Sequence, residues 1–110
     1  RAQTNSRGDK IIIEFVEGAD PKQLREMADD IRGRSNSVCL ALASISDGKA
    51  IVLAAVTPDL TERYHAGNLV KQVSVVFEGR GGGKADLAQA GGGTPEKINA
   101  ALDKFRELLA

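Results

Sequence analysis

The sequence has 110 residues, 42% of them hydrophobic and 27% charged, a composition that fits one folded domain and excludes a disordered chain. Fifteen Lys and Arg balance fifteen Asp and Glu. That balance excludes a uniformly basic nucleic-acid binder and an acidic tail, so a charged partner has to be met by a local patch.

Arg1 to Asp9 are polar and aperiodic, with Asn5, Ser6 and Gly8, and read as a linker or disordered lead-in to a single domain over residues 10–110. The run KIIIEFVE over 10–17 is β-branched and apolar on both faces, which predicts a strand covered on both sides. Asp20 then caps a helix with Pro21 at its first position, where a missing N–H is harmless. Leu24, Met27, Ala28 and Ile31 make its buried stripe, and it stops near Gly33. Residues 37–45 and 50–56 are two more buried strands, joined at Asp47-Gly48, the dipeptide a type I′ hairpin favours. The strand–helix–strand unit implies a parallel crossover and the hairpin an antiparallel neighbour, so the sheet is mixed.

Thr57-Pro58-Asp59 interrupts the pattern, and a second helix follows over about Ala66 to Phe77 with Ala66, Leu69, Val70, Val73, Val76 and Phe77 on one face. The segment GRGGGKADLAQAGGG occupies 79–93, with a short strand expected at 85–90. Thr94 and Pro95 are read as the N-cap and first position of a last helix, whose apolar face runs from Ile98 to Leu109. The expected class is α/β (α+β): a mixed sheet of three main strands plus a short fourth, covered by about three helices, in the order β-α-β-β-α-(β)-α.

Glycine is the anomaly. Seven of twelve glycines fall between Gly79 and Gly93, and glycine is retained where backbone must turn sharply or come close to something. One reading makes the clusters at 81–83 and 91–93 tight connectors. The other makes them anion-contacting backbone, with Arg80 and Lys84 beside the first cluster and a helix N-terminus after the second. A phosphate loop of the Walker type is excluded because Glu78 stands where it needs Gly and Ala85 where it needs Ser or Thr. The dinucleotide fingerprint fails at Lys84, its last glycine position.

Residues 63–84 carry Arg63, Lys71, Arg80 and Lys84 against Glu78 alone, whereas 11–31 hold six acids and two bases. A neutral chain is thus polarised; the basic stretch is either a polyanion contact or a solvated face. His65 is the only histidine and lacks a sequence-placed carboxylate, so it is a surface residue or a phosphate contact. Asp86 is either a general base or an acceptor for glycine amides. Cys39 lies among apolar residues, as a buried inert thiol does. A single cysteine cannot pair internally and fits a reducing, cytoplasmic setting. Of the four aromatics only Tyr64 could serve as a base-stacking platform, which argues against single-strand binding by an aromatic face. No catalytic or metal constellation is legible, no apolar run approaches the ~20 residues of a membrane span, and the start at Arg1 reads as a cut from a longer protein.

GRGGGKADLAQAGGG and the helix after it resemble the C-terminal glycine motif of alanyl-tRNA synthetases, and VTPDLTERYHAGNLVKQVS is similar to the stretch before it. The resemblance covers residues 10–110 and is most specific over the last fifty. It implies the DHH-associated C-terminal globular (C-Ala) domain of a synthetase, of bacterial type, which holds the outer corner of tRNA(Ala) and supports aminoacylation and editing. It also implies the remaining synthetase domains as partners, homodimerisation through the C-terminal region, and ATP, magnesium and zinc sites elsewhere in the parent, with no cofactor in this domain. The motif carries over onto Gly81, Gly82, Gly83, Asp86, Ala88, Gln89, Gly91 and Gly92, with Lys84 where many relatives have Arg. The expected RNA contacts are these glycines with Arg80, Lys84 and Gln89, and in second rank Arg63, His65 and Lys71. The alternatives are a DHH-type phosphodiesterase domain, in which a histidine commonly follows the glycines, and a purely oligomerising module.

Overall fold

The computed structural model describes residues 2–110. In chain order it contains β1 (Gln3–Thr4), β2 (Lys10–Phe15), α1 (Pro21–Arg34), β3 (Cys39–Ser46), β4 (Lys49–Val56), α2 (Ala66–Phe77), β5 (Arg80–Gly83), β6 (Leu87–Gly93) and α3 (Ile98–Leu109). Single 3-10 turns at Pro58–Leu60 and Pro95–Lys97 precede α2 and α3.

Local chemistry sets most of these boundaries. Asp20 accepts from the Gln23 backbone N–H at 2.8 Å while the Gln23 side chain accepts from the Asp20 N–H at 2.9 Å, a reciprocal capping box that starts α1. Asp47 and Gly48 both take positive φ, 51° and 72°, as a type I′ turn requires. The hairpin pairs Cys39 with Val56 through to Ser46 with Lys49. β2 runs parallel to β3, so the mixed sheet expected from sequence is present.

The sheet has the order β1-β2-β3-β4-β6-β5. Its two faces differ in side-chain size. Cys39, Ala41 and Ala43 of β3, with Ala50, Val52 and Ala54 of β4, face α2 and α3 and leave room for Phe77 and Phe105. Leu40, Leu42 and Leu53 face the other way, onto Leu24 and Ala28 of α1. Each buried phenyl contributes about 1.5–3 kcal/mol of transfer free energy.

Several expectations are corrected. The polar lead-in is not a linker throughout: Gln3 and Thr4 pair with Ile11 and Lys10, and the Asn5 amide donates to the Tyr64 hydroxyl and the Leu109 carbonyl. Polar anchoring leaves no hydrophobic period to read. β2 is covered at Ile11 and Ile12, but Phe15 is 42% exposed. The α1 stripe is narrower than predicted, with Leu24 and Ala28 buried, Met27 36% exposed and Ile31 half-buried. The glycine clusters are strand rather than connector, which raises the strand count to six. Where β6 meets β4 the register slips between Ala50↔Gly93 and Val52↔Ala90, a bulge that Gly92 accommodates at φ 70°. Thr94 does not cap the last helix, because the 3-10 turn intervenes and α3 begins at Ile98.

Candidate nucleic-acid interface

β5 is the edge of the sheet and carries almost no side chains. Gly81, Gly82 and Gly83 pair with Ala90, Gln89 and Ala88. The Lys84 N–H donates to the Leu87 carbonyl at 2.9 Å. By antiparallel alternation Gly82 and Arg80 then turn their N–H groups to β6, Gly81 turns its own to the open edge, and Gly83 turns its own to the side where its carbonyl meets Gly67 of α2. Glycine is required by crowding on the other side. A Cβ on Gly81 would lie 2.1 Å from the Gln89 carbonyl oxygen, and one on Gly83 would lie 2.5 Å from that of Leu87. At Gly82 a Cβ would meet nothing within 4 Å, so bare backbone faces solvent.

The tip of the β5–β6 hairpin is clamped by two helices. The first amides of α2 donate into it, Ala66 N–H to the Ala85 carbonyl at 2.8 Å and Gly67 N–H to the Lys84 carbonyl at 2.9 Å. The next, from Asn68, is accepted by Nδ1 of the N-cap residue His65 at 3.2 Å. Protein acceptors therefore fill these amides of α2. From α1, Arg32 donates to the Asp86 carbonyl at 3.0 Å, with its guanidinium 3.8 Å from the Asp86 carboxylate. Asp86 thus serves as a mooring for Arg32, rather than as an acceptor for the glycine amides.

The other predicted residues divide into two groups. Arg80, Lys84 and Lys71 are exposed, and none makes an ion pair among the described residues. Lys71 is one helical turn beyond Gly67, which packs against the Gly83 carbonyl, so it stands on the stripe of α2 that flanks β5. His65 is exposed beside the hairpin tip. Gln89 donates to the Pro21 carbonyl at 2.9 Å, and with Arg80, Gly91 and Ile51 it lines a shallow recess.

Arg63 is drawn away from this group. Its guanidinium contacts both oxygens of Asp9, at 2.7 and 2.8 Å. Tyr64 is 2% exposed and offers no stacking face; the Arg7 guanidinium lies 5.0 Å from its ring centroid. Arg7, with His65, Asn68 and Gln72, lines a polar hollow that sequence reasoning missed, since nothing in an aperiodic segment signals a tertiary partner. The anion position expected at Thr94 is occupied from within. The Thr94 hydroxyl donates to the Glu78 carboxylate at 2.5 Å and Lys97 approaches it at 3.2 Å, and these two hold the Glu78 carboxyl below its ordinary range.

Burial pushes the Cys39 thiol up to about 12, so it is no nucleophile at neutral pH. Among the described residues no group of three His, Cys, Asp or Glu side chains is placed to hold a metal ion. No described helix is long and apolar enough to cross a membrane. The arrangement supplies a backbone amide and three exposed cations, Arg80 and Lys84 at the ends of β5 and Lys71 on the neighbouring helix, an array suited to a flexible polyanion.

The DHHA1 domain model matches residues 8–110. Alanine–tRNA ligase of Anaeromyxobacter dehalogenans is 50% identical over 103 residues, 94% of this chain and 11% of the relative. That of Nitrosospira multiformis is 46% identical over 97 residues, 88% of this chain and 11% of the relative. The chain therefore spans about a ninth of the length of these relatives. The crystal structure of the C-Ala domain from Aquifex aeolicus alanyl-tRNA synthetase superposes with a TM-score of 0.86 at 29% identity, covering 99% of this chain and 97% of that one. A DHH-domain member of the S1p family of ribosomal proteins shares the fold alone, with a TM-score of 0.65 at 10% identity over 97% of this chain and 27% of that one.

Proposed function

This chain belongs to the DHHA1 domain family, and on that premise we propose that it is the tRNA-holding C-terminal module of an alanyl-tRNA synthetase. It takes the RNA backbone along β5 and reads shape rather than sequence. One observation carries the reading: the outward amide of Gly81 lies on the edge strand beside Arg80, Lys84 and Lys71, exposed cations that make no ion pair among the described residues. Bare backbone lets phosphates approach, and the cations release counterions as they do. Gln89, already committed to Pro21, orients the recess beside Arg80 and is a secondary contact.

In the parent enzyme the module grips the outer corner of tRNA(Ala) and presents one acceptor end to the aminoacylation and editing domains, in the cytosol. No cofactor is assigned to it. Homodimerisation through the C-terminal region is a separate part of the proposal, read by equilibrium sedimentation of the parent with and without these residues.

The test is a titration of the chain at several salt concentrations against intact tRNA, a tRNA lacking its corner, and a single strand. Tighter binding of intact tRNA is expected; equal affinity for all three would sink corner recognition. Labelled oligonucleotide incubated with Mn²⁺ should stay intact, since Lys84 stands where a DHH phosphodiesterase domain commonly has histidine.

A further inference from the structure

The flank of the sheet opposite β5 carries an apolar groove that the fold leaves open. α1 lies over β3 and β4, so it does not cover the outer part of β2. The result is a groove of about 610 Å³ floored by Ile12 and Leu42, with Phe15, Val16, Met27 and Ile31 along it. Past Met27 it continues into a second hollow lined by Glu17, Glu26 and Asp30. Its second hollow is the more acidic end. Glu17 and Glu26 make no ion pair among the described residues; Arg34 is paired with Asp30 at 2.7 Å, Glu14 stands between, and Lys10 lies toward the other end.

We propose that this groove docks a basic amphipathic helix from a protein partner, its apolar stripe on Phe15 and Met27 and its Lys or Arg side chains at Glu17 and Glu26. The groove offers an apolar floor for an i, i+3, i+4 stripe, and its acidic end favours the positive N-terminal end of a helix, which sets the orientation. A second copy of this chain is a poor occupant. Outside the groove, its remaining large exposed apolar side chain among the described residues is Val75 alone, too little for a matching apolar stripe. The site is independent of the RNA-facing edge, because β3, β4 and β6 separate β2 from β5.

The probe is a labelled helical peptide with Leu at the stripe positions and Lys elsewhere, beside a control carrying Glu in place of Lys. Its binding to the chain is followed by polarisation and mapped by amide chemical shifts. Saturable binding of the Lys peptide is expected, with shifts confined to β2 and α1. Affinity should fall about tenfold in Met27→Asp and in the double variant Glu17→Lys/Glu26→Lys, while tRNA affinity is unchanged in Met27→Asp. These side chains are exposed, and an unchanged urea midpoint shows that the variants fold. Equal binding of the Glu peptide, shifts on another surface, or no binding at millimolar peptide would overturn the proposal. So would self-association of the free chain that Met27→Asp abolishes, since that would give the groove to a second copy.

Discussion

The Tyr64 hydroxyl donates a 2.7 Å hydrogen bond to the carboxylate of Asp9, 55 residues earlier in the chain. The same hydroxyl accepts from Asn5 and Arg7, and Arg63 closes on Asp9 from the other side. This polar knot fastens the N-terminal segment to the start of α2, work that a hydrophobic contact does elsewhere in the fold.

The knot predicts an acid-sensitive contribution to stability. The Tyr64 hydrogen bond, and after it Arg63, holds the Asp9 carboxyl below its ordinary value of 3.8. A carboxyl depressed in the folded state stabilises at pH above that ordinary value and loses its contribution as pH falls through the lower folded value. Urea midpoints measured from pH 7 down to pH 2.5 should converge for the wild type and Asp9→Asn at the acid end and differ at neutral pH. Tyr64→Phe should lower stability by about 1–2 kcal/mol at pH 7, because three neighbours lose one shared partner.

Gly81 and Gly83 should resist substitution while Gly82 accepts it. Alanine at either of the first two forces backbone apart and is expected to cost about 1–3 kcal/mol. Gly82→Ala has open space and should leave the urea midpoint within about 0.5 kcal/mol, yet weaken tRNA binding by lifting the RNA off the strand. Equal losses of stability at all three positions would contradict the crowding seen at alternate residues.

Arg80→Ala and Lys84→Ala should each reduce the slope of log affinity against log salt by about 1. Arg63→Ala should instead lower stability and leave the slope alone, since its guanidinium already neutralises Asp9. An unchanged slope in the double variant Arg80→Ala/Lys84→Ala would move the RNA contact off β5.

Cys39 should be invisible to alkylating reagents in the native chain. Its thiol is fully buried and hardly ionised, so iodoacetamide labelling at pH 8 should proceed at the rate of global unfolding. Labelling as fast as a free thiol would show that the α2–α3 face opens locally.

The elements whose signals are local were legible in the sequence. Asp20-Pro21, Asp47-Gly48 and the apolar faces of α2 and α3 carry their own caps, turns and periods. What escaped depends on neighbours. Glycine carries no strand propensity, so β5 exists only because β6 and the N-terminus of α2 hold it. Within the candidate site, Arg80, Lys84 and Lys71 are exposed as expected. Arg63 and Tyr64 were redirected by Asp9, a tertiary partner that sequence spacing does not announce. The exposed Phe15 and Met27 follow from where α1 lies across the sheet, which no periodicity within either element encodes.

An edge strand without side chains has no steric defence against a second strand of its own kind. Were two copies to meet antiparallel about Gly82, Arg80 of each would face Lys84 of the other, and like charges placed opposite one another repel. The two cations proposed to meet phosphate thereby also oppose edge-to-edge pairing of two copies. Removing both should therefore be read with light scattering beside every binding curve. A polyanion that neutralises them replaces that repulsion with its own bulk, so the edge stays guarded in the loaded state as in the free one.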